Sequence, residues 1–478
     1  MCPVIFWYDS GEYVVGCATL GIVHPPGHPL YMLLGRLFTL VFPDPVIAVH
    51  LMSAVSGAAA IALFYVVARM ISVGRTAATL GALALALSPL FWSQTAIAEV
   101  YAPLISIILL GLALLLRGSC NGDRRLLVAA AYAVGLGFGV HMSIATIGIG
   151  LVVLFFCLGR ECPAQREPAT QGQLDVVKQQ IRNAIMAFLA FIIGISIYLY
   201  IPVRLIARPE MSFSGTQASW DWLSWYLSGG PYRDFFVHEY DVAVRALQVE
   251  WILLEEIGVQ GLILGAVGAG ALILRRPILA IAFISMIAGN VAFFFSYGVH
   301  DIGLFFLPAV TILFLLYAIG IESLFSIINR KVRSTIARPL ESLLCFVLLL
   351  MTIEDGLRGY GAMDLSSYTA PLDYGEELCL KLPPNSVVVN YATPAEWTRD
   401  SVFTHYFQKI LRKRRDVRVV RFPSSTVIRR LITTGVPVFC FAPTDSLLQF
   451  DLQREGGVHR ILGETIETEI PATQSSHY

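Results

Sequence analysis

The chain has 478 residues, of which 56% are hydrophobic and 14% charged, with 34 acidic and 34 basic groups, and its mean hydropathy is +0.67. A soluble domain is roughly a quarter charged, so water is not the main solvent here. The zero net charge also removes the basic footprint expected of a nucleic-acid partner.

The opening residues MCPVIFWY are apolar but too few to span a membrane, and they lack the basic start and small-residue cleavage site of a signal peptide. They read as the outer end of a first helix that begins upstream. Asp9-Ser10-Gly11-Glu12 then places two carboxylates three apart, on one face of a helical turn at the membrane surface. Two solvated interface acids are the alternative to a functional pair. His24-Pro25-Pro26-Gly27-His28-Pro29 cannot be regular helix, because three prolines and a glycine force an irregular path. Two imidazoles therefore hang from a rigid loop. A metal site would need them plus a carboxylate such as Asp9, and without cysteine or a third spaced histidine the pattern argues against zinc. From Tyr31, YMLLGRLFTLVF reads as a short amphipathic helix in the interface plane with Arg36 exposed.

Ten apolar stretches of membrane-spanning character follow, at about 46–70, 75–91, 95–116, 125–140, 142–158, 184–206, 251–274, 277–297, 302–325 and 339–354. Several are short or glycine-rich, which leaves room for a re-entrant one. With the upstream helix the count is eleven. Alternate connections carry fifteen cations on one side and five on the other, the five being Arg36, Arg204, Arg208, Arg233 and Arg245. By the positive-inside rule the poorer side, with the tail after the last span, is extracytoplasmic.

Polar groups at membrane depth cluster on that outer side. Glu99 lies several residues inside the outer end of its helix, where a charge costs about 3 kcal/mol at the bilayer centre and less near the surface. It should face a polar cavity. Tyr101, His141 and Asp301 lie at matching depth, and each is equally readable as an interface residue or a helix cap. The aromatic external loop around Trp220, Trp222, Trp225 and Tyr226 reads as an interfacial belt or a docking surface for a lipid.

The tail alternates strand and helix: SVVVN at 386, a helix over 395–413, VRVVRF at 417, a helix over 424–434 and VPVFCFA at 436. That pattern predicts a parallel sheet packed by helices. The run Arg412 to Arg415 reads as the solvated end of a helix. Of eight cysteines, Cys120, Cys157 and Cys162 fall near the cytoplasmic side, where thiols stay reduced. Cys379 and Cys440, which lie together outside, read as buried free thiols, with a disulfide between them as the alternative, Cys440 standing inside a core strand.

DSGEY followed by TLGIVHPPGHPLYMLLGRLF resembles the N-terminal signature of a family of membrane proteins. That family includes the vertebrate O-mannosyltransferase of plexin and related receptor domains, with many bacterial relatives. The resemblance continues through SPLFWSQTAIAEVY from Ser88, YLYIPVR ending at Arg204 and DIGLFFLP from Asp301. It departs at His28, where relatives carry Tyr, so that imidazole is not expected to be essential. The family is similar to GT-C glycosyltransferases, multispanning enzymes that take a sugar from a polyprenyl-phosphate carrier and use an acid of the first external loop.

The resemblance implies a GT-C-like form of the α-helical polytopic fold of about 10–11 helices over 1–354, while the tail, which the resemblance does not reach, reads from its own pattern as a small extracytoplasmic α/β domain over 355–478. The resemblance implies a lipid-carrier partner and a protein or glycan acceptor, and the zero net charge no nucleic acid. A polyprenyl-phosphate sugar already carries a good leaving group, so one general base suffices. Asp9 matches the family's acid, with Glu12 orienting the acceptor or Asp9 itself. Arg36 and Arg204 are the candidate cations for the leaving phosphate, with snorkelling as the alternative; His24, His28, Tyr31, Glu99, Tyr101, His141 and Asp301 complete the substrate-binding set.

A secondary transporter would place its charges near mid-membrane, and a non-catalytic assembly protein would tolerate loss of Asp9 and Glu12. Arginine outnumbers lysine and no Asn-x-Ser/Thr sequon occurs, which points to a bacterial plasma membrane.

Overall fold

The computed structural model describes residues 1–162, 173–213, 219–236, 241–299, 301–390, 399–421, 424–441, 447, 450–455 and 458–464. The chain divides into one unit formed by Gly16–Ser366 with Met1, and a second formed by Cys2–Val15 with Ser367–Tyr478.

The first unit is helical: α1 (Ser10–Thr19, shared with the second unit), α2 (Pro29–Val41), α3 (Pro45–Met70), α4 (Arg75–Leu87), α5 (Pro89–Ala96), α6 (Tyr101–Asn121), α7 (Arg124–Phe138) and α8 (Gly148–Cys157). It continues with α9 (Gln173–Ile195), α10 (Tyr200–Ala207), α11 (Trp220–Leu227), α12 (Val242–Arg275), α13 (Pro277–Phe294), α14 (Ile302–Phe305), α15 (Leu307–Lys331) and α16 (Ser334–Met363). The starts follow local chemistry. Asp44 caps α3 by accepting from the amides of Val46 and Ile47 at 2.8 and 3.2 Å, with Pro45 at the first helical position.

Among the described residues, seven helices are long and apolar enough to cross a membrane, or eight if α4 and α5, bent by 62°, count as one span. The chain is thus a multi-pass membrane protein. The expected stretches at 125–140 and 142–158 correspond to shorter pieces, the 15-residue α7 and the helical run Met142–Cys157. Ser88 breaks the span at 75–91: it caps α5 by accepting from Phe91, and Pro89 follows. In α12 the ladder breaks at Gly258, whose φ of 67° and ψ of 169° are not helical.

Within a bilayer, helices associate by close backbone packing rather than by a hydrophobic drive. α12 and α15 show it: a Cβ on Gly268 would collide with the Leu316 carbonyl, and one on Gly320 with the Leu264 carbonyl.

Two expectations change. Glu99 is not inside a helix; it lies in the break between α5 and α6, because the 95–116 stretch starts its helix only at Tyr101. Cys120 and Cys162, expected as reduced thiols, are joined by a disulfide, since the last turn of α6 and the chain beyond α8 bring their Cα atoms to 5.1 Å. Cys379 and Cys440 are free, Cys440 buried.

The second unit holds a five-stranded sheet, β1 (Val387–Asn390), β2 (Arg418–Arg421), β3 (Val438–Cys440), β4 (Phe450–Glu455) and β5 (Val458–Glu464), in the order β2-β1-β3-β5-β4. β2, β1 and β3 are parallel, as the alternation predicts, while β5 and β4 add an antiparallel hairpin that the sequence reading does not contain.

Alternate residues of a strand face opposite sides. Val388 packs with Leu378, Phe403 and Phe439, and Val389 with Ile428, Val438 and Ile461. The helices are α17 (Ala370–Lys381), a π-helical segment (Ser401–Ile410) and α18 (Ser425–Thr433). Of the helix expected over 395–413, residues 395–398 lie outside the described residues, and helical structure ends at Ile410.

Arg414, placed by the sequence reading in a solvated run, is instead a fastener. It donates to the carbonyls of Cys379, Leu382 and Pro383 at 2.6, 2.7 and 2.9 Å, and pairs with Asp416 at 3.0 Å. The N-terminal aromatics Phe6 and Trp7 lie against Tyr368 and Tyr374 of the same unit, with ring centroids at 5.3 and 5.7 Å.

Candidate functional site

Between α1 and α2 the chain is irregular, as its prolines require, so its backbone carbonyls must find partners outside a helical ladder. Side chains supply them. Arg204 on α10 donates from Nε to Leu20 O at 2.6 Å and from Nη2 to Thr19 O at 3.2 Å. Arg36 on α2 is half-buried rather than exposed, and donates from Nη1 to Ala18 O at 2.6 Å. Both guanidiniums sit at the C-terminus of α1, where the last carbonyls lack intrahelical donors and a cation complements the dipole.

Tyr200, one turn before Arg204, donates its hydroxyl to Gly21 O at 2.8 Å, and Tyr226 on α11 donates to Val23 O. The amide of Ile22 reaches Met211 O at 3.0 Å. Gly27 has φ +96°, and a Cβ there would lie 2.6 Å from the Tyr226 hydroxyl oxygen. Only glycine fits without displacing that clamp.

The fixed loop presents its imidazoles to a third from the start of the run after α7. His28 Nδ1 donates to Val140 O at 2.6 Å, and its Nε2 lies 3.3 Å from His24 Nε2. The His28 and His141 rings stack, with centroids 5.7 Å apart and planes at 14°, and Tyr101 meets His141 at 5.4 Å. Phe305 of α14 closes against both Tyr101 and His141, at 5.9 and 5.7 Å, and Tyr232 against His24 at 6.2 Å.

His24 and His28 are 8% and 2% exposed. Burial, then the nearby imidazoles of His24 and His141, holds the His28 pKa well below the usual histidine range; burial and then His24 hold His141 at about 4. His141 Nδ1 accepts from the Ser143 amide at 3.2 Å, capping the short helical turn Met142–Ile147, so the neutral ring carries its proton on Nε2.

A second polar group forms under α2. Tyr31 lies beside Ser53 of α3 and within electrostatic reach of Glu99. The Ser53 hydroxyl contacts Glu99 O at 3.5 Å, and Glu99 is 8% exposed.

Of the sequence candidates, then, His24, His28, Tyr101 and His141 meet in one cluster, Tyr31 and Glu99 in another, and Arg36 and Arg204 at the end of α1. Asp301 is exposed at the start of α14; Phe305, four residues on, is what reaches the cluster. Asp9 precedes α1, its carbonyl accepting from the Tyr13 amide at 2.8 Å. Glu12 lies in the first turn of α1 and is 1% exposed. The boundary between the two units falls inside α1, between Val15 and Gly16.

Sequence reasoning missed Tyr200 and Val140 and read Tyr226 only as part of an aromatic loop, either an interfacial belt or a lipid-docking surface. The spacing of Tyr200 and Arg204 four apart in YLYIPVR was the available signal, since it puts both on one helix face.

Residues 9–162 match the family model described as the protein O-mannosyl-transferase TMEM260 N-terminal domain. The chain is 28% identical over 237 residues to protein O-mannosyl-transferase TMEM260 of Mus musculus, covering 48% of this chain and 31% of that protein. It is 23% identical over 438 residues to the Dictyostelium discoideum protein of that name, covering 81% and 51%. The chain thus spans about a third to a half of the length of these curated relatives.

Among solved structures, ArnT from Cupriavidus metallidurans bound to undecaprenyl phosphate superposes with a TM-score of 0.58 at 14% identity, covering 96% of this chain and 94% of that one. The apo form of the same protein gives 0.57. The fold is accordingly the GT-C-like one that the motifs imply.

Proposed function

We propose that this chain, similar through its first third to the protein O-mannosyl-transferases, is a membrane glycosyltransferase that moves a mannose-like sugar from a polyprenyl-phosphate carrier to an acceptor hydroxyl. The observation that carries the reading is convergence. Four separated segments of the family-like sequence, at His24–His28, Tyr101, His141 and Phe305, supply one buried cluster, and the loop they share is clamped by a further one, YLYIPVR.

In the proposed reaction the acceptor hydroxyl oxygen attacks the anomeric carbon, the bond from that carbon to the phosphate oxygen breaks, and the hydroxyl proton passes to Asp9. Glu12 orients the acid or the acceptor. Polyprenyl phosphate leaves with the electron pair. Its charge is met by cations, for which Arg36 and Arg204 remain candidates: a guanidinium has five N–H donors, of which the carbonyl contacts above use one at Arg36 and two at Arg204. His24, His28, Tyr31, Glu99, Tyr101, His141 and Asp301 line the substrate region in this reading, and the acceptor is a protein or glycan.

The fifteen-to-five cation asymmetry supports an extracytoplasmic active face and tail, and the sequon-free, arginine-rich composition supports a bacterial plasma membrane. A cysteine at Ser219 should then react with an impermeant thiol reagent from outside and one at Ser334 should not.

The test of function is direct. Purified full chain in proteoliposomes should release polyprenyl phosphate from polyprenyl-phosphate mannose when a hydroxyl acceptor is supplied. Turnover with a soluble nucleotide sugar in place of the lipid donor would sink the reading.

A further inference from the structure

The boundary inside α1 leaves Asp9 and Glu12 in the second unit, because the stretch Cys2–Val15 clusters with the tail. Three kinds of contact fix it there. Cys2 Sγ lies 4.0 Å from Tyr368 O, and Phe6 and Trp7 lie against Tyr368 and Tyr374. The Phe6 amide donates to Ser10 Oγ at 3.1 Å, which ties that aromatic run to the first residue of α1. The third contact is the closest. A Cβ on Gly11, which stands between the two acids, would lie 2.7 Å from Ser401 Oγ and 2.8 Å from Ser401 O, at the start of the π-helical segment.

Ser401 occupies a particular place in the tail. The connection after β1 runs towards β2 and the one after β3 runs the other way, towards β4. The carboxyl ends of β1 and β3 therefore form a topological switch point, where parallel sheets of this kind place their functional groups. Arg399 donates to the carbonyl of Phe441, just past β3, and so anchors the start of the π-helical segment at that edge. Ser10 and Ser401 are 0% and 1% exposed, and Ser401 Oγ has no hydrogen-bond partner among the described residues. What holds α1 against this edge is close backbone packing, at a point where only glycine leaves room.

We infer that the tail seats the acid-bearing turn of α1, with Gly11 and Ser401 as positioning residues that set where the Asp9 and Glu12 carboxylates stand. The chemistry of the two acids rests on the glycosyltransferase reading above; the seat does not. Reaction geometry tolerates little error, since a misplacement of about 1 Å costs about 100-fold in rate. The tail is then part of the transfer machinery, and a substitution within it acts on turnover without touching substrate.

Gly11→Ala tests the seat by its sign. Glycine weakens a helix relative to alanine, so without a seat this variant firms α1 and leaves turnover intact. With the seat, the new Cβ meets Ser401 and the two segments must part by several tenths of an ångström. In the full chain in lipid nanodiscs, with turnover counted per donor-binding molecule, Gly11→Ala should lower kcat about 10- to 100-fold and leave both KM values unchanged. Adding Ser401→Gly removes the side chain it meets and should recover part of that loss. Ser401→Val enlarges the seat from the tail side and should lower kcat in the same way. Ile428→Val, a core change on the other face of the sheet, should not. If Ser401→Val does not fold, Gly11→Ala carries the test alone.

Hydrogen exchange at the Tyr13 amide, bonded to Asp9 O at 2.8 Å, reads the same turn independently of sugar transfer. It should quicken about tenfold in Gly11→Ala and in Ser401→Val, and stay as it is in Ile428→Val. Wild-type turnover in Gly11→Ala, or exchange that does not quicken there, overturns the inference. Quickened exchange in a protein whose unsubstituted form transfers no sugar would instead count against the functional reading alone.

Discussion

Arg204→Met, compared with Tyr200→Phe, asks whether the motif YLYIPVR works by holding the first loop. Arg204 makes two charge-assisted bonds, at 2.6 Å to the carbonyl of Leu20, just past α1, and at 3.2 Å to that of Thr19, its last residue. Such bonds contribute about 1.5–3 kcal/mol and a cation at a helix C-terminus about 0.3–1 kcal/mol. Two bonds from one guanidinium are not independent, so the loss is about 3 kcal/mol. Tyr200 makes one neutral bond at 2.8 Å, and its loss costs about 1 kcal/mol. Since 1.4 kcal/mol is tenfold in an equilibrium, local opening of the loop should rise about 100-fold in Arg204→Met and about fivefold in Tyr200→Phe. Hydrogen exchange reads this at the Gly27 amide, bonded to His24 O at 2.8 Å, and the Ile22 amide, bonded to Met211 O at 3.0 Å. Unchanged exchange at both amides in Arg204→Met, with donor KM raised, would refute the clamp and return Arg204 to the phosphate.

Asp9→Asn keeps the side-chain shape but removes its basicity, so turnover should fall by about 100- to 10,000-fold with donor binding retained; Glu12→Gln should lose less. Wild-type turnover in both, in protein shown to insert normally, would favour an assembly role. Gly27→Ala meets the Tyr226 hydroxyl oxygen and Ile201 Cδ1 at 2.6 and 2.7 Å with φ at +96°, and should cost about 2–4 kcal/mol of loop stability, seen as protease cleavage between α1 and α2. Arg414→Ala unties three carbonyls and should lower the melting temperature of the second unit, read by the signals of its own tryptic peptides. Asp416, held near 2 chiefly by its hydrogen bond from Arg414 and so below its ordinary 3.8, contributes fully above about pH 4. That contribution is lost as pH falls through about 2, and Arg414→Ala should abolish this part of the acid sensitivity.

The lipid solvent, the places of the long spans, the parallel core of the tail and the family likeness were all legible in the sequence. Each is written in local signals: runs of apolar residues, cation counts between them, strand-helix alternation and motif order. The irregularity of His24 to Pro29 was equally legible, because proline and glycine restrict the backbone wherever they stand. What completes that loop was not. Arg36 and Arg204 look alike in sequence as spare cations, and only folding shows both at the carbonyl end of α1, from 18 and 184 residues away. Arg414 looked solvated for the same reason. The β4–β5 hairpin escaped notice because a strand at the edge of a sheet need not be a continuous apolar run. His28, set aside as a departure, gains its meaning from a carbonyl 112 residues distant. A residue's own chemistry fixes what it is able to donate or accept, but which unsatisfied backbone group it meets depends on pairings across the whole chain, and those exist only once the helices have packed.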